Sequence, residues 1–297
     1  MDRFVLMTCF ARAVETGSFS AAGRDLGLGQ PNVSRHVAAL EEHLQTRLLN
    51  RSTRKLMLTP EGERYYAEVR RILDAVDESE MSLRENVQPT GLLRVACPTA
   101  LSHQYVMPLV PEFLRRYPGL QLDLQINDRF VNLLDEGAEL AIRIGHLENS
   151  SLRARRIGSF KRVCVASKDY LAERGVPKVP DDLRHHDCVL YTLLASGATW
   201  RFKDVDVPVS GRIRVNSPEA ARESVSAGLG IGQGPEWLFE RGLNAGHLQI
   251  VLNDFSAPAV PMHIMYAANR LVAKRAIVFM DFIAEEFSKT PRLNVKA

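Results

Sequence analysis

A switch in hydrophobic period divides this chain at Pro89-Thr90-Gly91. Before it, apolar residues return every three or four positions, the spacing of helices that bury one face. After it, Leu120, Leu122, Leu124 and Ile126 alternate with Gln121, Asp123 and Gln125, the period of a half-buried strand. An all-helical piece is therefore followed by one in which strands and helices take turns. At 297 residues the chain has room for two domains. Its 45% hydrophobic and 25% charged residues suit packed cores and exclude wholesale disorder. It contains no apolar run of the ~18 residues that a membrane helix needs. Met1-Asp2-Arg3-Phe4 leads straight into a helical pattern without a secretory leader, so a cytoplasmic location and no membrane partner are expected. Cys9, Cys97, Cys164 and Cys188 are scattered without a CxxC, which predicts reduced thiols, no metal site and no disulfide framework. No motif calls for a cofactor.

In the helical piece, Phe4, Val5, Met7, Phe10, Ala11 and Val14 mark a first helix that Gly17 ends. Ser18 or Ser20 caps a second helix, through Leu26, whose Ala21, Ala22 and Gly23 admit a close neighbour. Gly27-Leu28-Gly29 forces a turn, and Pro31 suits the first turn of a third helix, where its missing N–H costs nothing. There Val33, Val37, Leu40 and Leu44 face the core and leave Gln30, Asn32, Ser34, Arg35 and His36 outside. Two short helices around a glycine turn match helix-turn-helix spacing. Gln and Asn pair with adenine edges, Arg forks onto guanine, and Ser reaches a base or a phosphate. Arg47, Arg51, Arg54 and Lys55 follow, leading into Leu56-Met57-Leu58-Thr59, a basic turn between β-like pieces that resembles a wing. The alternative is a plain three-helix bundle with a solvated basic face. Charge is distributed accordingly: residues 1–60 carry eight Lys/Arg against five Asp/Glu, residues 61–87 four against eight, and the remainder 26 against 22.

Gly17-Ser-Phe-Ser-Ala-Ala, Gln30-Pro-Asn-Val-Ser-Arg35, Leu40-Glu41, Arg51, Arg54, Leu58-Thr59 and Gly62 together resemble, in order, the LysR-type transcriptional regulators. The chain departs from that pattern at Gly29 (Ser in the family), Gln45 (Gly) and Leu49 (Phe). On this resemblance residues 1–59 form a winged helix-turn-helix domain, with Ser20, Gln30, Pro31, Asn32, Ser34, Arg35, Arg51 and Arg54 as DNA-contacting candidates. Residues 60–88 are a linker helix. In it Tyr66, Val69, Leu73, Val76 and Leu83 keep a heptad alternation, broken only by Glu80, that predicts a seam between two subunits. A helix lying on its own chain is the alternative. Two paired heads would read the two halves of an interrupted inverted repeat in double-stranded DNA, as a homodimer or homotetramer, with RNA polymerase a candidate partner.

The body, 91–297, reads βαβ, which implies α/β layers around mostly parallel sheets. Gly91-Leu-Leu-Arg-Val, Tyr117-Pro118, Ala141-Ile-Arg-Ile-Gly145, Ala166-Ser-Lys-Asp-Tyr170-Leu171 and Gly228-Leu-Gly-Ile-Gly232 extend the resemblance, with Glu139 where the family often has Asp. It implies a two-lobed, periplasmic-binding-protein-like effector domain, one lobe about 91–161 plus 267–297 and the other about 162–266. Ligands of open α/β sheets bind at the carboxyl ends of strands. Those ends would offer Thr99, Leu101, Ser102 and His103, just before a helix predicted from Val106, then Arg143 and Gly145, and Asn216 with Glu219 beside Ser217. Hydroxyls, free amides and Arg143 suit an organic-acid effector. Structural alternatives are caps at Thr99 and Ser217, and a pair between Arg143 and Glu139.

Three motifs invite over-reading. Gly228–Gly234 departs from GxGxxG and follows a helix instead of opening one, so a turn is the better reading. His185-His186-Asp187-Cys188 points alternately outward in an extended chain. Ser102-His103 has no G-x-S-x-G elbow around it, and no other nucleophile–base set supports an enzyme. The readings that remain beside an effector-controlled regulator are an architectural DNA-binding protein without effector response and, far behind, an enzyme on the α/β body.

Overall fold

The computed structural model describes residues 2–52, 55–82, 88–128, 137–145, 147, 152–194, 197–267 and 272–295. The chain divides into two compact units, 1–87 and 88–297.

The first unit contains α1 (Arg3–Thr16), α2 (Phe19–Asp25), α3 (Gln30–Leu44), β1 (Leu49–Ser52), β2 (Lys55–Leu58) and α4 (Pro60–Ser82). Asp2 caps α1 by accepting from the Phe4 N–H, and Gly17 ends it at φ 64°. Ser18, not Ser20, caps α2. Gly23 is required where α2 turns toward α3, since a Cβ there would sit 2.6 Å from the Leu28 carbonyl oxygen. Gln45 ends α3 in the left-handed region, φ 49°, where a side chain costs roughly 1–2 kcal/mol. The core joins Leu6, Phe10 and Ala13 of α1, Val33, Val37 and Leu40 of α3, Leu48, Leu49, and Val69 and Leu73 of α4.

The second unit opens with β3 (Gly91–Cys97). Next comes α5 (Thr99–Leu101), which widens through one π turn at Ser102–Val106 into α6 (Met107–Arg116). Pro108 lacks the N–H that would bond back to Gln104, so the regular ladder gives way there. The helix therefore starts at Thr99, seven residues ahead of the predicted Val106, because the π turn hides the helical period. β4 (Leu120–Ile126), β5 (Leu140–Ile144) and β6 (Leu152–Phe160) complete the first pass through this lobe. The short helix expected at 131–136 lies outside the described residues. The other lobe runs through β7 (Arg162–Ser167), α7 (Lys168–Arg174), β8 (Cys188–Tyr191), the hairpin β9 (Thr199–Arg201) and β10 (Asp206–Pro208), and β11 (Ile213–Val215). It continues with α8 (Pro218–Ser226), β12 (Ile231–Pro235), α9 (Glu240–Asn244) and β13 (Leu248–Val251). Then β14 (Val260–Ala267) and α10 (Lys274–Ser288) return to the first lobe.

Each lobe holds one five-stranded sheet, in the orders β4-β3-β5-β14-β6 and β11-β8-β12-β7-β13. Both are mixed rather than mostly parallel: β14 runs against β5 and β6, and β7 runs against β12 and β13. The return to the first lobe also comes earlier than the predicted 267, since β14 pairs with β6 from Val260 onward. Hydrophobic period identifies a strand but carries nothing about which sheet it joins. One core runs from sheet one, around Phe113, Phe279 and Phe282, to the α8 side of sheet two around Val163, Val225 and Trp237. A second packs the other face of sheet two under Trp200, Phe202 and Val207 of the β9–β10 hairpin.

Candidate DNA-contacting and effector-binding sites

In the first unit α3 presents its polar face outward. Gln30, Pro31 and Arg35 are exposed, and Asn32 and Ser34 half-buried. The Arg35 guanidinium donates to Asn32 Oδ1 at 2.7 Å, so the two side chains hold each other on that face. Gly29 provides no side-chain acceptor at the α3 N-terminus. Pro31 has no N–H and the Asn32 amide donates to the Gly29 carbonyl at 2.9 Å, so of the first amides only that of Gln30 is left for an outside acceptor such as a phosphate oxygen. Ser20 is half-buried within α2. β1 and β2 form an antiparallel hairpin, Leu49 opposite Leu58 and Arg51 opposite Leu56. The Arg51 side chain and the whole of Arg54 lie outside the described residues.

A residue the DNA chemistry gave no reason to single out fixes this hairpin to α3. Glu41 Oε1 accepts from the backbone N–H of Leu48 at 2.8 Å and of Leu49 at 3.0 Å. Thr59 secures the other end: its hydroxyl donates to the Arg47 carbonyl at 2.7 Å and accepts from the Gly62 N–H at 2.9 Å. The Gly62 bond is the local N-cap of α4, whereas the Glu41 bonds and the Thr59 bond to Arg47 span seven to twelve residues, and no periodicity announces them.

The expected seam needs correction. Val69 is fully buried and Leu73 8% exposed inside the unit's own core, so neither is free for a partner. Tyr66 stands edge-on to Phe10, centroids 6.2 Å apart, and its hydroxyl reaches Glu15 at 3.4 Å, while Arg70 meets the same carboxylate at 2.9 Å. In this half of α4 the 3–4 spacing records a seam within one chain. Val76 is half-buried, and Leu83 lies outside the described residues.

In the second unit α5 follows the end of β3 and packs beside α8. The Thr99 amide is not free: it donates to Asp128 Oδ1 at 3.0 Å. Ser102 is fully buried, and among the described residues its hydroxyl has no hydrogen-bond partner of good geometry. It lies beside the Cys97 thiol, which burial pushes up to about 12; the Ser102 hydroxyl pulls the other way, with smaller influences from Asp128 and Arg143. Arg143 is buried on β5 opposite His263. Glu139 pairs with Arg275 at 3.0 Å. Leu101 is withdrawn from the rim, because its side chain is wholly buried in the core, whereas His103 is exposed. Gly145 adopts φ 108° just past β5.

Across from these, Ser217 caps α8 and donates to Glu219 Oε2 at 2.6 Å, and Asn216 is exposed. Tyr191, at the end of β8, joins the two sides. Burial first, then the negative charges of Asp128 and Glu219, hold its phenol above the usual range. Thr99, Ser102, Arg143, Asp128, Tyr191 and Glu219 thus share one neighbourhood. Asp128 and Tyr191 were missed because each is one polar residue at a strand end, with no motif around it.

The remaining motifs are structural. Asp187 N–H donates to the Tyr170 hydroxyl at 2.9 Å, His186 Nδ1 lies 3.1 Å from the same oxygen, and Arg174 pairs with Asp187. Gly228–Gly230 is the turn between α8 and β12. Among the described residues no group of His, Cys, Asp and Glu is placed to hold a metal ion, and no helix is long and apolar enough to cross a membrane.

Comparison with known proteins matches residues 4–63 to the bacterial regulatory helix-turn-helix protein, lysR family, and residues 86–288 to the LysR substrate binding domain. The HTH-type transcriptional activator AaeR of Escherichia coli K12 is 32% identical, the match covering 99% of this chain and 96% of that protein. The structure of CrgA, a LysR-type transcriptional regulator from Neisseria meningitidis, shares 33% identity at a TM-score of 0.62, over 95% of this chain and 98% of CrgA. The Vibrio cholerae virulence activator AphB shares 27% identity at a TM-score of 0.59, over 96% and 99% of the two chains. A helix-turn-helix unit with its polar recognition face outward, followed by a two-sheet effector-binding unit, makes this chain a member of the LysR family of DNA-binding transcriptional regulators.

Proposed function

We propose that this regulator reads an interrupted inverted repeat as a homodimer or homotetramer, and that a small organic acid bound between its lobes changes how the heads engage DNA. Residues 1–59 act as the reading head, 60–88 as the linker and the body as the sensor. Arg35, with Asn32 and Gln30, serves as base reader, while Ser34, Ser20 and the wing arginines Arg51 and Arg54 serve as phosphate anchors.

The observation that carries the effector class is the 3.0 Å bond from the Thr99 N–H to the Asp128 carboxylate. The end of β3 already accommodates a carboxylate at a helix start, with a buried spare hydroxyl on Ser102 and the buried Arg143 nearby. An effector carboxylate would take the place of Asp128 there, releasing the segment that Asp128 ends. Affinity that differs between the two arrangements is what makes this allosteric.

Duplexes enriched from a random pool, titrated by fluorescence anisotropy with and without a panel of carboxylic acids, test the reading. Arg35→Ala should lose roughly 1–3 kcal/mol and relax base preference at one position. Thr99→Val should keep DNA binding and blunt the acid response, by about 0.5–3 kcal/mol. An acid response unchanged in Thr99→Val, which keeps the Thr99 N–H, would remove the Thr99 hydroxyl from the site; a DNA-binding protein indifferent to every acid would remove the effector part of the proposal.

A further inference from the structure

A small pocket opens on lobe two where β7 begins and β12 ends, on the face of sheet two covered by the β9–β10 hairpin. Arg162, Cys164 and Gln233 form its floor, and Arg201, Phe202 and Ser256 its wall. No lobe-one residue takes part. The enclosed space is only about 10 Å³, about one water's worth, so a small group would be gripped at the open mouth by the flanking side chains and not swallowed by a cavity.

Its electrostatics are unusual. Arg162 lies deep in the protein's mass although part of its side chain lines the opening. Burial holds its guanidinium below the ordinary arginine range; Cys164 works against that and the positive charge of Arg201 adds to it. No carboxylate pairs with Arg162 among the described residues, and the lining contains neither Asp nor Glu. Arg201 has Asp206 at 3.8 Å, in a pair that is more than half exposed on both sides and therefore weak. The Gln233 amide donates to the Cys164 sulfur at 3.8 Å and has a second N–H left. Lys161 Nζ donates to Asn253 Oδ1 at 2.6 Å and fastens the turn behind Ser256. A half-buried cation without a carboxylate partner, beside a second cation, gains when an anion joins it.

We infer that this pocket is a second ligand site, separate from the cleft between the lobes, which seats one small oxyanion between the guanidiniums of Arg162 and Arg201. Sulfate, phosphate and a carboxylate share the planar pair of oxygens that a guanidinium fork grips. The site adjoins Lys161, where the chain crosses from β6 to β7 and so from one lobe to the other. An anion there would stiffen that crossing.

The test is thermal unfolding of the full-length chain followed by tryptophan emission, which includes Trp200 on the hairpin beside the pocket. Sodium sulfate, phosphate and acetate are each titrated against sodium chloride at equal ionic strength. At least one should raise the midpoint saturably above chloride, and which of them does so tells a tetrahedral anion from a carboxylate. Arg162→Gln should weaken that response about tenfold or more, equivalent to ~1.4 kcal/mol. Should Arg162→Gln fail to fold, Arg201→Gln on the exposed rim should weaken it severalfold. Thr99→Val, which alters only the cleft, should respond like the wild type. The inference is overturned if no anion exceeds chloride, or if the response survives both arginine variants. A response lost in Thr99→Val alone would place the anion in the cleft and refute the separate site.

Discussion

Glu41→Ala is the perturbation that most directly probes how the DNA-reading unit is held together. One carboxylate oxygen accepts from two consecutive amides, Leu48 and Leu49, at 2.8 and 3.0 Å. Both residues are at least 98% buried, so neither amide regains water easily once the carboxylate is gone. A hydrogen bond to a charged group is worth about 1.5–3 kcal/mol, and half-exposure of Glu41 itself moderates the pair. A loss of roughly 2–4 kcal/mol follows, a large share of the ~5–15 kcal/mol that holds a typical domain. With a urea slope of about 1–3 kcal/mol per molar, the unfolding midpoint of this unit should fall by about 1–2 M. Glu41→Gln keeps the accepting oxygen and should lose only about 1 kcal/mol. The assay separates the units by probe. Trp200 and Trp237 both lie in the second unit, so tryptophan emission follows that unit alone, while ellipticity also registers the helices of the first. DNA affinity should fall with Glu41→Ala even in the absence of urea, because the hairpin loses its register against α3. The reasoning is refuted if Glu41→Ala leaves the ellipticity transition in place, or if Glu41→Gln is as damaging as Glu41→Ala.

Leu73→Ala should cost the first unit about 2–4 kcal/mol at any protein concentration, because Leu73 packs within its own chain; a loss that appears only as weaker dimerisation in sedimentation would restore the intersubunit seam at this position. All four cysteines are buried, and Cys97, Cys164 and Cys188 are each pushed up to about 12 by burial. A thiol reagent at pH 8 should therefore find almost nothing in the native chain and four groups in denaturant. The sign for stability follows: a thiol that keeps its proton better when folded supports folding fully below its unfolded value of 9.0, and that support drains away as pH climbs toward 12. Urea midpoints read by tryptophan emission should fall between pH 8 and pH 10; a midpoint that rises would contradict the burial of these groups.

The sequence by itself determined the parts that rest on local chemistry. Helical spacing, Gly17, the Gly27–Gly29 turn and Pro31 define the reading helices, since capping and turn propensities act within a few residues. The outward polar set of α3 was legible for the same reason: Val33, Val37 and Leu40 fix which face is inside, and Gln30, Asn32 and Arg35 occupy what remains. Strand periodicity likewise located β3, β4 and β5. Only the tertiary structure decided what lies opposite each element. A 3–4 spacing in α4 records an apolar stripe but not its partner, and Val69 and Leu73 turn out to fill the core beside Phe10. Period two marks β14 as a strand but cannot say that it joins sheet one. Thr99 looked like a free amide at a helix start until Asp128, 29 residues on, was found accepting from it. Arg162 was one basic residue at the head of a strand until folding set Arg201 beside it and left it without a carboxylate. Each of these depends on groups far apart in sequence, and long-range pairing is set by the packing of whole layers, which no short window of residues contains.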